Sequence, residues 1–229
     1  MVTLYTAMGK VEFRFDEQGR RYPIVTLGDK EYVVDIPEMI IWRSLNWELL
    51  DLSEVEKRYN ENTHKYNIAA KMDFAAYISR LTQRGLIVSG MGDKPVDALY
   101  DILSELYIVP VVCGLFLKTV SFLKLTLIDR IPFHKAKTVF KEDTYTDNEK
   151  RVIDLARQAL LSTAEIIKCV EFGVYDISDD IKVMEALYGD EETTCDNIIF
   201  IAKLFKVQQP VIEAVANLYL RKRIIFQRI

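Results

Sequence analysis

The sequence predicts an α+β fold, mainly helical, in which two similar units are joined by a helical connector. Three observations support this prediction. Apolar residues recur at helical spacing along most of the chain, three short segments near the start alternate between apolar and polar residues, and two distant segments share a helix–bend–strand pattern. We expect the units to be residues 1–92 and 147–229, and the connector to be residues 93–146.

The stretch 193–229 shows the helix–bend–strand pattern most clearly. One helix face is formed by Ile198, Ile199, Ala202 and Phe205, and a second helix follows with Pro210 in its first turn. A short apolar strand, Ile224–Phe226, comes after it. This order is typical of a winged helix-turn-helix, with residues 208–220 in the place of the recognition helix.

DNA binding is the first function that this stretch predicts. Residues 221–228 read RKRIIFQR, with four basic side chains and no acid. We expect Gln208, Gln209 and Asn217 to read base edges, and the basic side chains to contact phosphates: Arg221, Lys222, Arg223 and Arg228. The alternative is that these basic residues only stabilise a helix C-terminus, and residues 162–229 carry 8 basic against 11 acidic side chains.

The first ninety residues predict a small antiparallel meander followed by three helices. The strands are residues 10–15, 22–27 and 31–35, and Asp35 begins the first helix. Ser53 and Glu56 predict a capping box for the second helix, and residues 60–66 predict a loop. The third helix runs from Asp73 to Gly85, and a strand follows. The segment 77–90, YISRLTQRGLIVSG, shares its pattern with 215–228, VANLYLRKRIIFQR, so we predict two winged-helix units.

The segments DIPEMIIWRSL, LSEVEKRY and DFAAYISRLTQRGLI give residues 10–90 a resemblance to the PqqD-like family of peptide-recognition winged helices. The family's Gly-Thr bend is absent, and residues 47–51 (WELLD) stand there. The resemblance implies that a peptide adds a strand beside residues 31–35 and packs on the third helix. The peptide-binding residues would be Glu31, Tyr32, Val33, Val34, Phe74, Tyr77, Ile78 and Leu81.

The connector contains the most apolar segment of the chain. An amphipathic helix is predicted over residues 93–107, followed by the apolar run 108–128 with Lys118 at its centre. A central lysine disfavours a membrane span. A helix that is apolar on nearly every face has to be buried, so we expect a homodimer through residues 109–127, with contacts from Leu115, Phe116, Val120, Phe122 and Leu123. The alternative is a core helix inside a monomer.

Composition and the absence of known catalytic motifs favour some classes of protein over others. The net charge is −4, from 30 basic and 34 acidic residues, and the three cysteines (Cys113, Cys169 and Cys195) predict no disulfide framework, so a reducing cytoplasm is expected. No signal peptide, nucleotide-binding loop, catalytic motif or metal motif is evident, and His64 and His134 lie in polar stretches. The sequence therefore predicts a non-enzymatic regulator without a cofactor or metal, binding DNA or, alternatively, a peptide or protein partner.

Overall fold

The computed structural model of the protein describes residues 1–111 and 144–228. Within these residues the fold is α+β, as predicted. The described residues contain no helix that combines the length and the apolar content needed to cross a membrane.

The N-terminal unit contains two small sheets and three helices. The strands are β1 (Val2–Ala7), β2 (Lys10–Phe15), β3 (Arg21–Leu27), β4 (Lys30–Val33) and β5 (Ile87–Gly92). The helices are α1 (Ile36–Leu45), α2 (Leu52–Lys65) and α3 (Phe74–Gln83). One sheet is the predicted meander, antiparallel in the order β2-β3-β4, and in the other β1 pairs antiparallel with β5.

The C-terminal unit follows α4 (Pro95–Leu103), which packs across β5. Its strands are β6 (Tyr107–Pro110), β7 (Leu161–Ser162) and β8 (Ile224–Gln227). Its helices are α5 (Asp147–Gln158), α6 (Thr163–Glu171), α7 (Asp180–Tyr188), α8 (Ile198–Ala202) and α9 (Gln208–Leu220). The sheet has the order β7-β6-β8, with both pairs antiparallel.

The two units share one order of elements. In the first, β1 lies between β5 and an isolated bridge at Leu50, which connects α1 to α2. In the second, β6 lies between β8 and β7, and β7 connects α5 to α6. Each unit therefore places an early strand in the middle of its sheet and ends with a helix, a bend and an edge strand. The winged-helix description of the units stays a prediction.

The bend before the last strand is the same in both units. After α3, the Gly85 N–H bonds to the Thr82 carbonyl and the Leu86 N–H to the Leu81 carbonyl, each at 2.9 Å. After α9, the N–H groups of residues 222 and 223 bond to the carbonyls of residues 219 and 218, each at 2.8 Å. This is the Schellman motif, in which the first residue after the cap takes the left-handed conformation. Gly85 has φ +70° and Lys222 has φ +60°.

One hydrophobic core fills each unit, and a buried tyrosine joins them. The first core packs α1, α2 and α3 under β3 and β5, while the second surrounds α9 and includes α4. At the junction, the Tyr219 hydroxyl of α9 lies 2.8 Å from the Thr6 Oγ1 atom of β1. The same hydroxyl accepts a hydrogen bond from the backbone N–H of Trp47 at 3.1 Å. The Tyr219 and Trp47 rings lie 5.3 Å apart.

Several predicted boundaries were wrong for identifiable reasons. The helix predicted over residues 93–107 ends at Leu103, because Tyr107–Pro110 pairs with β7 and β8 instead. The loop predicted over residues 60–66 belongs mostly to α2, which runs to Lys65 and is capped by Asp51 rather than Ser53. Strands β1 and β7 were not predicted.

Of the apolar segment predicted to mediate a dimer, residues 109–111 belong to β6 or follow it. Residues 112–127, with all five predicted contact residues, lie outside the described residues. The dimer is therefore still a prediction, as is its alternative.

Candidate functional site

The outer edge of β4 is the main candidate for a binding surface. Strand β4 pairs with β3 through one side only, and it is the last strand of its sheet. The two-residue turn joins Leu27 to Lys30, and the Val34 N–H bonds to the Pro23 carbonyl at 3.2 Å. Because backbone groups alternate in direction along an antiparallel strand, Lys30 and Tyr32 bond to β3 while Glu31 and Val33 present their N–H and C=O groups outward.

The end of this edge is closed by Arg84, the C-cap residue of α3. The Arg84 Nη2 atom donates to the Val33 carbonyl at 2.6 Å, and its Nη1 atom lies 3.1 Å from the Glu38 carboxylate. The guanidinium also lies over the Tyr32 ring, 5.4 Å from its centroid. Three outward groups therefore remain on β4: the Glu31 N–H, the Glu31 carbonyl and the Val33 N–H.

The carboxylate of Glu38 holds Arg84 in this position. Its side chain is fully buried, and its Oε1 atom lies 3.1 Å from both Arg84 Nη1 and Arg80 Nε. Its Oε2 atom accepts the Asp35 N–H at 2.9 Å, which completes a capping box at the predicted N-cap of α1. The buried carboxylate thus holds two guanidinium groups beside the β4 edge.

The structure brings some of the predicted peptide-binding residues together and separates others. Glu31 and Val33 are exposed on β4, with 60% of Val33 accessible, and Tyr32 is half-buried. The side chains of three predicted residues are buried in the core: Val34, Tyr77 and Leu81. Ile78 is half-buried on α3, and Phe74 packs 5.4 Å from the Tyr59 ring, about 15 Å along the helix from Arg84.

The predicted recognition helix, α9, is largely a core helix. Seven of its residues are buried, including Val211, Val215 and Leu218. Its exposed stripe carries Gln209 and Asn217 with an acid between them, Glu213, which accepts a hydrogen bond from the Gln209 side chain at 2.8 Å. Gln208 is half-buried. The exposed face therefore offers two amides and a carboxylate but no cation.

The basic residues after α9 are mostly engaged within the protein. Arg221 pairs with the buried Glu149 carboxylate at 2.9 Å, and Arg228 lies 4.0 Å from Glu105. Arg223 is half-buried, whereas Lys222 is exposed at the tip of the bend. Of the four predicted phosphate contacts, Lys222 extends most freely into solvent.

A concave groove lies between α1 and α2 in the N-terminal unit. It has a volume of about 530 Å³ and is lined by residues that include Ile36, Arg43, Arg58 and Tyr66. Arg58 is bound to Glu54, Glu48 and the Ser44 carbonyl, whereas Arg43 is exposed.

A buried lysine, Lys168, lies at the centre of a polar cluster in the C-terminal unit. The Lys168 Nζ atom donates to the Leu187 carbonyl and the Thr193 hydroxyl at 2.6 Å, and to the Asp190 carboxylate at 2.5 Å. The Lys168 ammonium beside Asp190 holds the pKa of that carboxyl well below its usual range. Every one of its donors is satisfied, so the cluster fixes α6 against the loop after α7.

The described residues contain no group of His, Cys, Asp or Glu side chains that could hold a metal ion. His64 is exposed near the end of α2, and His134 lies outside the described residues. Cys169 is buried, and burial raises the pKa of its thiol to about 11, which disfavours the reactive thiolate.

Sequence reasoning missed Arg80 and Arg84, which form the wall of the candidate site. Their spacing of four residues on a predicted helix places them on one face, and this signal was available. The sequence could not show that this face of the helix lies at the end of β4, because the contact joins residues some fifty positions apart.

Comparisons with known proteins give no further guidance: no family model, no curated protein and no solved structure matches the chain.

Proposed function

We propose that this protein is a non-enzymatic adaptor that binds an extended peptide segment of a partner along the outer edge of β4. The observation that supports the proposal is an exposed edge strand with three free backbone groups, closed at one end by Arg84. Strand addition to such an edge is a common mode of peptide recognition, in which the backbone provides affinity and alternate side chains provide specificity. The resemblance of residues 10–90 to the PqqD-like family supports the same surface.

The size of the edge sets the expected affinity. Three backbone hydrogen bonds contribute a net of about 0.5–1.5 kcal/mol each. Micromolar binding requires about 8 kcal/mol, so side-chain burial has to provide the larger share. Val33 is suited to this because 60% of it is exposed beside the free edge. We expect micromolar rather than nanomolar affinity for a single short segment.

The test begins with selection of peptides that bind the purified full chain from a random twelve-residue library displayed with blocked C-termini. Binding of a selected peptide is then measured by fluorescence anisotropy. Val33→Pro removes an outward N–H without removing a bond to β3 and leaves a peptide carbonyl without its donor, so it should weaken binding about 5-fold or more.

The matched control is Phe15→Pro, which places a proline at an outward-facing position on β2, the opposite edge of the same sheet. It should leave the affinity within about twofold. A selection that enriches no sequence, or a Val33→Pro variant that binds as well as the wild type, would contradict the proposal.

DNA binding through α9 and the bend after it is the second candidate function. The observation that favours it is that Gln209, Asn217 and Lys222 are all exposed along and just beyond one helix. Each phosphate contact adds about 0.9 to the slope of log affinity against log salt for duplex DNA. Lys222→Ala should therefore reduce that slope by about one in an anisotropy titration with a random duplex, and absence of binding at low salt would rule this candidate out.

Two further proposals concern where and in what form the protein works. The described cysteines, Cys169 and Cys195, are free thiols, which is compatible with the proposed reducing cytoplasm. The homodimer through residues 109–127 is tested by light scattering on the purified protein. A monomer mass at tens of micromolar would contradict it.

A further inference from the structure

The two arginines beside β4 point to the chemistry of the bound peptide, given the proposed function on which this inference rests. Arg80 and Arg84 lie one helical turn apart and share a single oxygen of Glu38, at 3.1 Å each. The other oxygen of Glu38 is taken by the Asp35 N–H. Two other acids lie close to this edge, and both are engaged. Asp35 directs its carboxylate to the N-terminus of α1, where it accepts the Glu38 N–H at 2.9 Å, and the Glu31 carboxylate pairs with Arg14.

The donors of the two arginines are used unequally. Arg84 is 20% exposed, and its two terminal nitrogens bond to Glu38 and to the Val33 carbonyl. The Arg80 side chain is 49% exposed and contacts Glu38 through Nε. Its two terminal nitrogens have no acceptor within the described residues, so they form an open fork whose base is anchored on a buried carboxylate.

The fork lies where a bound strand would run out of backbone partners. A peptide paired with Glu31 and the Val33 N–H reaches Arg84 at the Val33 carbonyl, where the ladder stops. Arg80 lies beside Arg84 on their shared oxygen. In the proposed complex, the first peptide side chain beyond the ladder is placed beside the Arg80 fork.

We infer that the bound peptide carries an aspartate or glutamate side chain at this position, held by the free guanidinium nitrogens of Arg80. A planar guanidinium with two parallel N–H groups matches a carboxylate in a bidentate pair. Lysine would supply the charge without the fork. Arg80 is thus a specificity-determining residue of the proposed site, and Arg84 closes the ladder.

The experiment uses the peptide selection on the full chain described above, followed by synthetic peptides with amidated C-termini. The amide excludes the chain terminus as the source of the carboxylate. We expect Asp or Glu to be enriched at one position, and replacement of that acid by its amide to weaken binding about 10-fold or more. With Arg80→Gln, the acid and amide peptides should bind equally well.

Two controls separate charge from geometry. Arg43→Gln removes the same charge from the α1–α2 groove and should preserve the acid preference. Arg80→Lys keeps the charge, and we expect it to recover only part of the preference.

Each outcome is decisive. Selected peptides without an enriched acid, or an acid preference that survives in Arg80→Gln, would overturn this inference while the proposed function stands. A selection that enriches no peptide would contradict both this inference and the proposed function.

Discussion

Lys222 occupies the left-handed backbone conformation that Gly85 occupies at the matching bend of the other unit. Both bends carry the same pair of backbone hydrogen bonds, so the geometry is imposed by the motif and not by the side chain. An L-residue in this conformation costs roughly 1–2 kcal/mol, whereas glycine is nearly free of the penalty.

Lys222→Gly should therefore raise the free energy of unfolding by about 1 kcal/mol, measured by urea denaturation. Gly85→Ala is the reciprocal control. Its added Cβ would meet only the Leu27 Cδ2 atom at 3.7 Å, so strain alone should lower stability by about 1 kcal/mol. A Lys222→Gly variant of equal or lower stability would contradict the assignment of the bend.

Asp190 should make the free energy of unfolding depend on pH in the acid range. Its pKa is lowered in the folded protein, first by the side-chain hydrogen bond from Lys168 and then by bonds from Thr193. A lowered folded-state pKa means that the stabilisation is present at neutral pH. It is lost as the pH falls below the usual carboxyl value of 3.8.

Asp190→Asn should destabilise the protein at pH 7, because it leaves the buried Lys168 ammonium without its counterion, and should flatten the loss of stability between pH 5 and about pH 2. Urea denaturation across this range measures both effects. The exposed pair Asp154–Arg157 supplies the control Asp154→Asn, which should change little. Equal acid sensitivity in wild type and Asp190→Asn would refute this role.

At the scale of elements, local chemistry could be predicted and distant pairing could not. The N-cap of α1 at Asp35 and the bounds of α9 follow from residues close in sequence. Strand β1 was missed because its partner β5 lies some eighty residues away and its side chains do not alternate clearly. Strand β6 was missed because a short apolar run does not distinguish a strand from a buried helix.

Contact between α4 and β5 depends on the absence of a side chain at Gly90. A Cβ atom there would lie 2.3 Å from the Ile102 nitrogen and 2.7 Å from the Ala98 carbonyl. Gly90→Ala should thus push α4 away and lower the free energy of unfolding by about 1–3 kcal/mol. The neighbouring exposed Ser89→Ala is the control, expected to be neutral. A neutral Gly90→Ala would show that α4 packs less closely on β5 than described.

On the scale of the whole molecule, the candidate site and the junction between units are both products of tertiary structure. The sequence could supply Glu31 and Val33 as strand residues and Tyr77 as a helix residue. Helical spacing places Tyr77 on the apolar face of α3, where it is buried, but it could not indicate that Arg84 at the end of this helix reaches β4, some fifty residues away in sequence. The charge of α9 could likewise be predicted from the sequence. Its burial on most sides could not, because it depends on the packing of α4, α5 and α6 around it.

The junction predicts that the two units unfold together. Tyr219→Phe keeps the ring but leaves the backbone N–H of Trp47 without its acceptor. This should lower the free energy of unfolding by about 1–3 kcal/mol. The fluorescence of the two tryptophans, Trp42 and Trp47, which both lie in the N-terminal unit, should follow the same transition as far-ultraviolet circular dichroism of the whole chain. Tyr175→Phe, at a site 74% exposed, is the control. Separate transitions for the two probes would contradict the coupling.

The most direct test of β4 as the binding edge is amide hydrogen exchange, followed by NMR, with and without a selected peptide. In the free protein the Glu31 and Val33 amides should exchange rapidly, while the Tyr32 amide, bonded to β3, should be protected. Saturation with the peptide should slow exchange at Glu31 and Val33 at least about 10-fold and leave α9 unchanged. Protection that appears along residues 209–223 while Glu31 and Val33 still exchange rapidly would contradict the account.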